Sequence, residues 1–530
     1  MKTIRLFPLE LCRLLQSRFT WLMIGLSVLS PVIGLIFYKP AAASTMLSMY
    51  LANPAIAGGI AGSVLFGTLT VFELDRAVRS RVDVLIDSTV SPLCMALVRL
   101  LVMMVDALIT LGLTMLVWLP ISKWLIGAVF GIVDYVLAYL ILMGLAMPLG
   151  ILAAAAAYQF TRRVDLSLVL FAALAALSLT VWADNWQLCW LNPCVWALSD
   201  DFSNFRIFRS VGYMRLTWLV ALSGVWTISW LCVRQYGKGL LGSLIWSVRR
   251  AYRPAVALIL LAFSGIAYAA QPMVDNSNPD ETAMLFYEVP YAEEVVCTGR
   301  NAEVFPDVNS GILSGYAAYQ FQNSSGQEQR VAFGINPGYT ISNVQANGLD
   351  VPFSVSDYQE YNEAMLEVTI PADKHVELTM EYGGFPQESA NMSTMQGSTE
   401  ISEKYLCLEN ATLSPRLMNV LPDENMYPTT FEITLPSFMT VIPFGNSNAQ
   451  VVAEHENETK TWRYEGNSTG GIVYAGNYIR EDVVVDGFTI EFYYGRKHQA
   501  VMEAAGAVEA IKSVVDYCVE HYGYLSFGAD

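Results

Sequence analysis

Long apolar stretches fill the first half of the chain, and charged or turn-forming residues separate them. They lie at about 20–38, 52–72, 94–119, 127–157, 165–183, 214–233 and 254–270. A hydrocarbon core of about 30 Å requires about 20 residues of helix, which is close to the length of each stretch. The pattern therefore predicts a membrane α-helical bundle with six to seven transmembrane helices.

Apolar and polar residues alternate in short segments from about residue 281 to about residue 495. Turn-forming pairs such as Asn347-Gly348 separate some of these segments, and alternation with this punctuation is typical of antiparallel sheet. From Ala500 to Tyr522 the apolar positions change to the spacing of a helix. We therefore expect an all-β domain that ends in an α-helical segment.

Charge divides the chain where the hydrophobic pattern changes. Residues 1–270 carry 20 Lys and Arg against 11 Asp and Glu, whereas residues 271–530 carry 11 against 37. In the first half, cations gather before the first apolar stretch and after the second, fourth and sixth. The positive-inside rule places these gaps and the N-terminus in the cytoplasm, and everything after Ala270 outside the cell membrane. A signal peptide cleaved near Ala43 is the alternative for the first stretch.

Two classes of function are disfavoured by the sequence. The acidic second half argues against nucleic acid as a partner, because proteins hold phosphate backbones mainly with Lys and Arg. The chain also contains no G-x-x-x-x-G-K-[ST] phosphate loop. We therefore expect no ATP hydrolysis by a P-loop of this chain.

Two segments on the predicted cytoplasmic side carry mixed charge. Residues 6–18 place Glu10 and Arg13 on one helical face and leucines on another, which predicts a helix in the membrane interface or, as the alternative, an extension of the first span. Phe72-Glu73-Leu74-Asp75-Arg76 follows the second span and leads towards Ser91-Pro92, a typical helix start. This segment suits a short helix that contacts a soluble partner, and a solvated loop is the alternative.

An interfacial helix, six spans, the charged loop and a Trp-rich outer segment together resemble permeases of the type-2 ABC exporters over about residues 1–235. The loop departs from the family pattern because Pro92 stands three residues after Thr89 instead of directly after it. In that family the interfacial helix and this loop touch the ATPase subunit. The resemblance therefore implies a separate ABC ATPase, a homo- or heterodimer of permeases and contact with membrane lipid. It also implies ATPase-coupling roles for Glu73, Asp75, Arg76, Arg79, Arg81 and Asp83.

Two carboxylates fall inside predicted spans. Asp106 sits in the middle of the third span and Asp134 in the fourth, where a charge is costly unless it is paired or faces water. Asp106 is the better candidate for lining a pathway, because Asp134 also fits an interface position. Structural pairing with Arg99 or Arg215 accounts for either carboxylate equally well.

The predicted outer segment Trp182–Phe202 is rich in tryptophan. Indole rings suit the headgroup level, so we expect an interfacial or re-entrant segment, with an aromatic substrate gate as the alternative. Cys189 and Cys194 lie in the same segment. They are a candidate disulfide in an oxidising compartment, and two separate thiols are the alternative.

Several short motifs in the second half resemble the N-terminal β-domain of the aminopeptidase N (gluzincin) family of zinc metallopeptidases. They are the run Gly338–Phe353, the strand end Glu381–Gly384, Ala475–Tyr478, and Ile511–Gly528. The resemblance covers about residues 282–530. It implies that β fold for this half, followed by the opening of the family's catalytic domain.

Zinc chemistry in that family requires an H-E-x-x-H helix and a downstream Glu. The nearest match begins at His455 and has Thr459 where the second His belongs. The chain contains four histidines in all, at His375, His455, His498 and His521. We therefore expect no catalytic, cofactor-binding or metal-binding residue in this chain, and zinc only if a missing catalytic domain exists.

These patterns predict five segments. They are a cytoplasmic interfacial helix at 1–19, a permease-like domain at 20–235, a cytoplasmic loop with a seventh helix at 236–270, an extracytoplasmic β-rich domain at 271–499, and at 500–530 the helical start of a truncated or missing domain. The predicted function is the multi-pass permease subunit of an ABC-type transporter. The alternatives are a membrane-anchored zinc aminopeptidase-like protein or fragment without its catalytic domain, and a non-catalytic peptide-binding sensor or scaffold.

Overall fold

The computed structural model divides the chain into two compact units. One is helical and includes Met1–Asp200 and Asn204–Pro272, and the other is β-rich and includes Met273–Ser389 and Gly397–Asp530. The structure describes residues 2–41, 45–80, 90–183, 185–195, 197–200, 204–233, 239–270, 291–292, 294–356, 363–386, 400–403, 405–420, 427–443, 449–467, 471–485 and 488–523.

The helical unit contains eleven α-helices among the described residues. They are α1 Lys2–Leu15, α2 Arg18–Leu29, α3 Pro31–Ile36, α4 Asn53–Arg79, α5 Pro92–Ile126, α6 Ile132–Ala138, α7 Ala146–Thr161, α8 Val164–Leu179, α9 Phe205–Leu231, α10 Leu240–Val248 and α11 Tyr252–Ala269. The wider π-helical turn Ser48–Ala52 leads into α4, and a second one, Tyr139–Gly144, lies between α6 and α7.

Six helical segments in the described part of the chain are long and apolar enough to cross a membrane. They are Arg18–Ile36, Ser48–Arg76, Pro92–Val129, Ile132–Thr161, Ile207–Leu231 and Tyr252–Ala269. This number agrees with the lower of the two predicted from the sequence. The predicted span at 165–183 instead forms α8, which has 16 residues. At 1.5 Å per residue, α8 is about 24 Å long, and it ends because the backbone leaves the helical conformation at Thr180.

Helix α5 shows why these segments form and how they pack. Ser91 is its N-cap and accepts a hydrogen bond from the Cys94 backbone N–H, and Pro92 occupies the first turn, as the Ser-Pro start predicts. Large apolar residues cover the outer face, including Leu108 at 59% and Leu116 at 70% exposure. An apolar surface turned outward is expected of a helix whose surroundings are lipid.

Small residues bring α4 into close contact with α7 and with the π-helical turn before it. A Cβ atom at Gly59 would lie 2.3 Å from the Leu142 carbonyl oxygen, and one at Gly150 would lie 2.4 Å from that of Ser63. Neither distance is sterically allowed, so both positions require glycine. Close approach through small residues is the usual way in which membrane helices gain packing contacts.

The β-rich unit contains eighteen strands among the described residues. They are β1 Val295–Asp307, β2 Ile312–Asn323, β3 Gln329–Ile335, β4 Tyr339–Ala346, β5 Leu349–Asp350, β6 Phe353–Ser356, β7 Ala364–Ile370, β8 His375–Gly384, β9 Glu400–Ile401, β10 Tyr405–Glu409, β11 Arg416–Leu417, β12 Pro428–Pro436, β13 Thr440–Pro443, β14 Gln450–Glu454, β15 Thr459–Asn467, β16 Ile472–Gly476, β17 Tyr478–Val485 and β18 Phe488–Gly495.

The strands form one large sheet and three smaller ones. The large sheet has the order β14-β15-β12-β1-β2-β8-β4-β5, and the smaller ones are β13-β16-β10-β9, β11-β3-β7-β6 and β17-β18. Buried side chains of the large sheet and of the two four-stranded sheets belong to one hydrophobic cluster. Buried and less buried residues alternate along much of β1 and β8, so one face of the large sheet packs against this core.

One predicted turn and one predicted pairing have different outcomes. Asn347 and Gly348 both have positive φ, and Ala346 pairs with Leu349 across them, so the hairpin predicted from Asn-Gly is confirmed. The described strands pair antiparallel, as predicted, with one exception, because β1 and β12 pair in parallel. These two strands are far apart in the chain, and local alternation contains no information about which distant strand becomes a neighbour.

The helical tail is present, but it is not one continuous helix. It consists of α12 Gln499–Ala505 and α13 Ala507–Tyr522. Gly506 separates them with φ of 60°, a conformation that glycine adopts without a steric penalty and that commonly ends helices.

Candidate functional site

Arg13 connects the N-terminal helix α1 to the end of α4. Its Nε donates to Glu10 Oε2 at 2.7 Å, and its Nη1 lies 2.8 Å from Glu73 Oε2. Arg76 Nη1 lies 3.5 Å from the other Glu73 oxygen. Burial lowers the pKa of Arg13, but the carboxylates of Glu10 and Glu73 outweigh this effect and the pKa lies above its ordinary value. Glu73 is only 8% exposed, so its charge depends on these two guanidinium groups.

Asp75 forms a second connection, from α4 to α7. The Tyr158 hydroxyl donates to Asp75 Oδ1 at 2.9 Å, and the Arg79 guanidinium pairs with the same carboxylate. Asp75 is 7% exposed. Arg99 on α5 adds a further positive charge that acts on Glu73 and on Tyr158. We call Glu10, Arg13, Glu73, Asp75, Arg76, Arg79, Arg99 and Tyr158 the charged cluster.

The dipole of α4 determines which of these charges need partners. Cations are favoured near a helix C-terminus and carboxylates are disfavoured there. Arg76 and Arg79 therefore stand where the helix favours them, with side chains that are 53% and 66% exposed. Glu73 and Asp75 are buried near the same end. Arg13 on α1 and Arg76 balance the charge of Glu73, and Arg79 balances that of Asp75, which also accepts a hydrogen bond from Tyr158. The cluster thus combines buried internal ion pairs with two exposed cations.

Four of the six predicted coupling residues lie together in this cluster, namely Glu73, Asp75, Arg76 and Arg79. Arg81 and Asp83 lie outside the described residues. The sequence indicated Glu10 and Arg13 as one helical face but not their partner on α4. It gave no signal for Tyr158, because a tyrosine at the end of an apolar span resembles any interfacial aromatic residue.

The two carboxylates predicted inside spans have different positions. Asp106 lies within α5 and is 0% exposed. Asp134 lies in the first turn of α6, close to the start of the span Ile132–Thr161, where the helix dipole favours a carboxylate. Pairing with Arg215 is not found in the described structure, because that guanidinium binds backbone carbonyl groups instead.

Arg215 on α9 is fully buried and joins three segments of the helical unit. Its Nη1 donates to the carbonyl oxygens of Ile141 and Leu142, at 2.9 and 2.5 Å, and its Nη2 donates to that of Leu191 at 3.3 Å. Ile141 and Leu142 belong to the π-helical turn before α7, where the regular hydrogen-bond ladder is interrupted. Arg215 therefore donates hydrogen bonds to carbonyl groups of this turn and of the Trp-rich segment.

The sequence predicted an interfacial or re-entrant position for the Trp-rich segment. In the structure the segment packs onto the protein, and some of its rings are buried. Trp186 and Trp190 are 3% and 0% exposed. Both Trp182 and Trp190 pack against Trp218 on α9. Their ring centroids lie 6.0 Å and 6.2 Å, respectively, from the Trp218 ring centroid. Trp196 lies outside the described residues. The rings contribute to the core because α9 supplies an aromatic partner that local sequence does not reveal.

Cys189 and Cys194 are two thiols in contact, with Sγ atoms 3.4 Å apart. We expect oxidised glutathione to join them, because a small movement brings the sulfurs to bonding distance. Both thiols are oxidised, and the reagent is reduced to two glutathione thiols. Mass spectrometry of the full chain should show the shared peptide losing two hydrogens and becoming resistant to N-ethylmaleimide.

Cys297 serves as the control thiol in that experiment, because burial raises the pKa of Cys297 to about 12 and keeps it protonated. It should remain reduced under the same treatment. In the Cys189→Ser variant, Cys194 should form no internal disulfide. It should be found either as the maleimide adduct or as a mixed disulfide with one glutathione, whose mass identifies it. Full alkylation of both thiols after oxidation of the native chain would contradict the pairing.

The β-rich unit brings no group of three His, Cys, Asp or Glu side chains together as a metal site among its described residues. His455, which begins the incomplete zinc motif, is hydrogen-bonded through Nε2 to Thr461 Oγ1 at 2.8 Å. It lines a cleft of about 520 Å³ with Glu303 and Glu432. The ring is thus part of a strand-turn-strand surface, whereas the zinc motif requires a helix.

Comparison with known proteins gives distant structural similarity only. No protein-family model matches the chain, and no curated protein matches it. The M1 zinc metallopeptidase from Deinococcus radiodurans matches with 16% identity and a TM-score of 0.27, over 38% of this chain and 47% of that one. Yeast LTA4 hydrolase in complex with bestatin matches with 10% identity and a TM-score of 0.28, over 46% of this chain and 38% of that one. The chain spans less than half the length of both proteins, and these values do not establish a family.

Proposed function

We propose that the chain is the permease subunit of an ABC-type transporter that a separate ATPase drives. The observation that supports this function is the ion pair between Arg13 on α1 and Glu73 on α4. It links an N-terminal amphipathic helix to the end of a long apolar helix. The six helices that are long and apolar enough to cross a membrane supply the framework that a permease needs.

The charged cluster has the connections that a coupling site requires. Arg13 ties α1 to α4, Tyr158 ties α7 to α4, and α1 also packs against α5. A force applied to α1 or to the end of α4 would therefore move several long helices together. Packed helices transmit small displacements because their interfaces are close-packed and resist deformation.

The exposed cations of the cluster fit a partner with acidic groups. Arg76 and Arg79 direct their guanidinium groups outward while Glu73 and Asp75 keep them in position. Planar guanidinium groups suit bidentate binding of carboxylates across an interface. Under this proposal the charged cluster faces the cytoplasm and the β-rich unit is extracytoplasmic. Two permease chains in the cell membrane form the pathway at the interface between the two chains.

Affinity purification of the full chain from its native membrane tests the proposal. We expect an ATPase with its own P-loop to co-purify and its ATP hydrolysis to change on binding. The variant Arg76→Glu/Arg79→Glu should reduce the recovered ATPase at least tenfold, because each reversal replaces an attraction with a repulsion. Arg249→Glu/Arg250→Glu, which reverses two exposed arginines at another site, is the matched control and should retain the partner.

Two results would contradict the permease function. One is purification without any ATPase under conditions that keep the membrane complex intact, and the other is unchanged ATPase recovery with the Arg76→Glu/Arg79→Glu variant. Zinc analysis and an aminopeptidase assay on the same preparation address the alternative function. Stoichiometric zinc with peptide turnover would favour the aminopeptidase-like protein.

A further inference from the structure

A stripe of polar residues runs along the buried face of α5. Asp106, Thr110 and Thr114 follow one another at intervals of about one helical turn. All three are 0% exposed. Polar residues that face the interior of an apolar helical unit are costly to bury, and in such proteins they mark ion or proton sites.

Asp106 is the ionisable member of this stripe, and its carboxylate has no donor. Neither oxygen has a hydrogen-bond partner among the residues that the structure describes. The nearby hydroxyl protons are already used, because Thr110 donates to the Asp106 carbonyl oxygen at 2.9 Å and Thr114 donates to that of Thr110 at 2.8 Å. An ionised carboxylate in this position would be buried without compensation.

The surrounding charges do not neutralise Asp106. The described titratable residues on the elements packed against α5 are Glu10, Cys12, Arg13, Arg18, Tyr50, Glu73, Asp75, Arg76, Arg79, Asp134, Tyr135, Tyr139, Tyr158, Arg209, Tyr213 and Arg215, and α5 itself carries Cys94, Arg99 and Lys123. Glu73 is the one whose charge acts on Asp106, and it has the same sign. Arg13 is bound to Glu10 and Glu73, and Arg215 is bound to carbonyl groups.

Helix α2 contributes hydroxyl groups to the interior beside α5. Helix α2 packs against α5, where Trp118 Nε1 donates to the Val28 carbonyl oxygen at 2.8 Å. Thr20 and Ser27 on α2 are 0% exposed, and their hydroxyls have no hydrogen-bond partner in the described structure. The interior of the helical unit beside α5 therefore contains further polar atoms without described partners.

We infer that Asp106 is a cation-binding site in the interior of the helical unit and that a proton occupies it at neutral pH. A proton neutralises the carboxylate without needing extra volume, whereas Na⁺ would need several oxygen ligands around it. The inference rests on the burial of Asp106 and its missing donors, and it holds whether or not the chain is a permease. Any rearrangement that admits water to this face of α5 would release the proton.

Infrared spectroscopy of the full chain in lipid vesicles tests the inference directly. At pH 7 we expect the carbonyl stretch of a protonated carboxyl group, and Asp106→Asn should abolish it. The matched control Asp134→Asn, at the half-buried position 134 in the first turn of α6, should leave the band unchanged. Replacing a choline salt with NaCl distinguishes the two cations. A band that disappears in NaCl identifies Na⁺ as a competing occupant, and a band that persists identifies the proton alone.

A hydrophobic carbodiimide gives a second measurement that needs no variant. The carboxyl proton moves to a reagent nitrogen and the carboxylate oxygen bonds to the central carbon, so the whole reagent adds to the protein. Peptide mass spectrometry at pH 7 should find the adduct on Asp106 and not on Asp134, and labelling should fall about tenfold per pH unit once the site deprotonates. Absence of both the infrared band and the adduct, in either salt, would overturn the inference.

Discussion

Replacing Arg215 with methionine is expected to destabilise the helical unit by about 3–5 kcal/mol, or to prevent the chain from accumulating. Methionine fills a similar volume but donates no hydrogen bond. It would leave the Ile141, Leu142 and Leu191 carbonyl groups without their donor in a fully buried site. Each buried acceptor that loses its partner costs about 1–3 kcal/mol.

The conservative variant Arg215→Lys should recover part of this loss. Lysine keeps the charge and three donors, but it lacks the planar fork that reaches the π-helical turn and Leu191 together. The matched control is Arg163→Met, whose guanidinium is exposed and paired with the exposed Asp165. It should change the free energy of unfolding by less than about 1 kcal/mol. Thermal unfolding in detergent ranks the variants, and a stable Arg215→Met protein would show that the three carbonyl contacts are dispensable.

Local pattern was sufficient to predict the parts of the fold that depend on neighbouring residues. Ser91-Pro92 begins α5 as expected, and Asn347-Gly348 makes the β4–β5 turn. Both outcomes follow from backbone chemistry within a few residues. Helix α8 was mispredicted in length, because apolar composition continues past Thr180 while the backbone leaves the helix to form the packed Trp-rich segment.

Contacts between distant segments could not be read from the sequence. Arg13 was recognised as part of a charged helical face, but its partner Glu73 is sixty residues away on another helix. Arg215 was considered as a partner for an aspartate, and instead it donates to carbonyl groups of a π-helical turn. Helical periodicity identifies a buried face without identifying what lies opposite it, so the charged cluster required the structure.

The β-rich unit contains a buried cation that sequence patterning also left unexplained. Arg300 on β1 is 2% exposed. Its guanidinium carbon lies 4.7 Å from the Phe431 ring centroid and 5.6 Å from that of Tyr319, and its Nη2 donates to Ser414 Oγ. No carboxylate of the described residues forms an ion pair with it. Aromatic faces thus provide most of its stabilisation, in cation–π contacts of about 0.5–2 kcal/mol each.

Arg300→Ala should destabilise the β-rich unit by about 3–5 kcal/mol, because it leaves a cavity between β1, β2 and β12 that the flanking rings are too rigid to fill. Arg300→Met should be nearly neutral. It keeps most of the volume, and the lost cation–π contacts are offset by the removal of a buried charge. Hydrogen exchange of the β1 and β2 peptides in the full chain measures both effects locally.

The two substitutions separate the roles of volume and charge at this position. Equal acceleration of exchange in Arg300→Ala and Arg300→Met would show that the guanidinium charge itself stabilises the sheet. Protection retained in Arg300→Met and lost in Arg300→Ala would show that the aromatic residues need only a side chain of sufficient length between them. We expect the second result, because one hydroxyl and two ring faces compensate a buried cation less completely than water does.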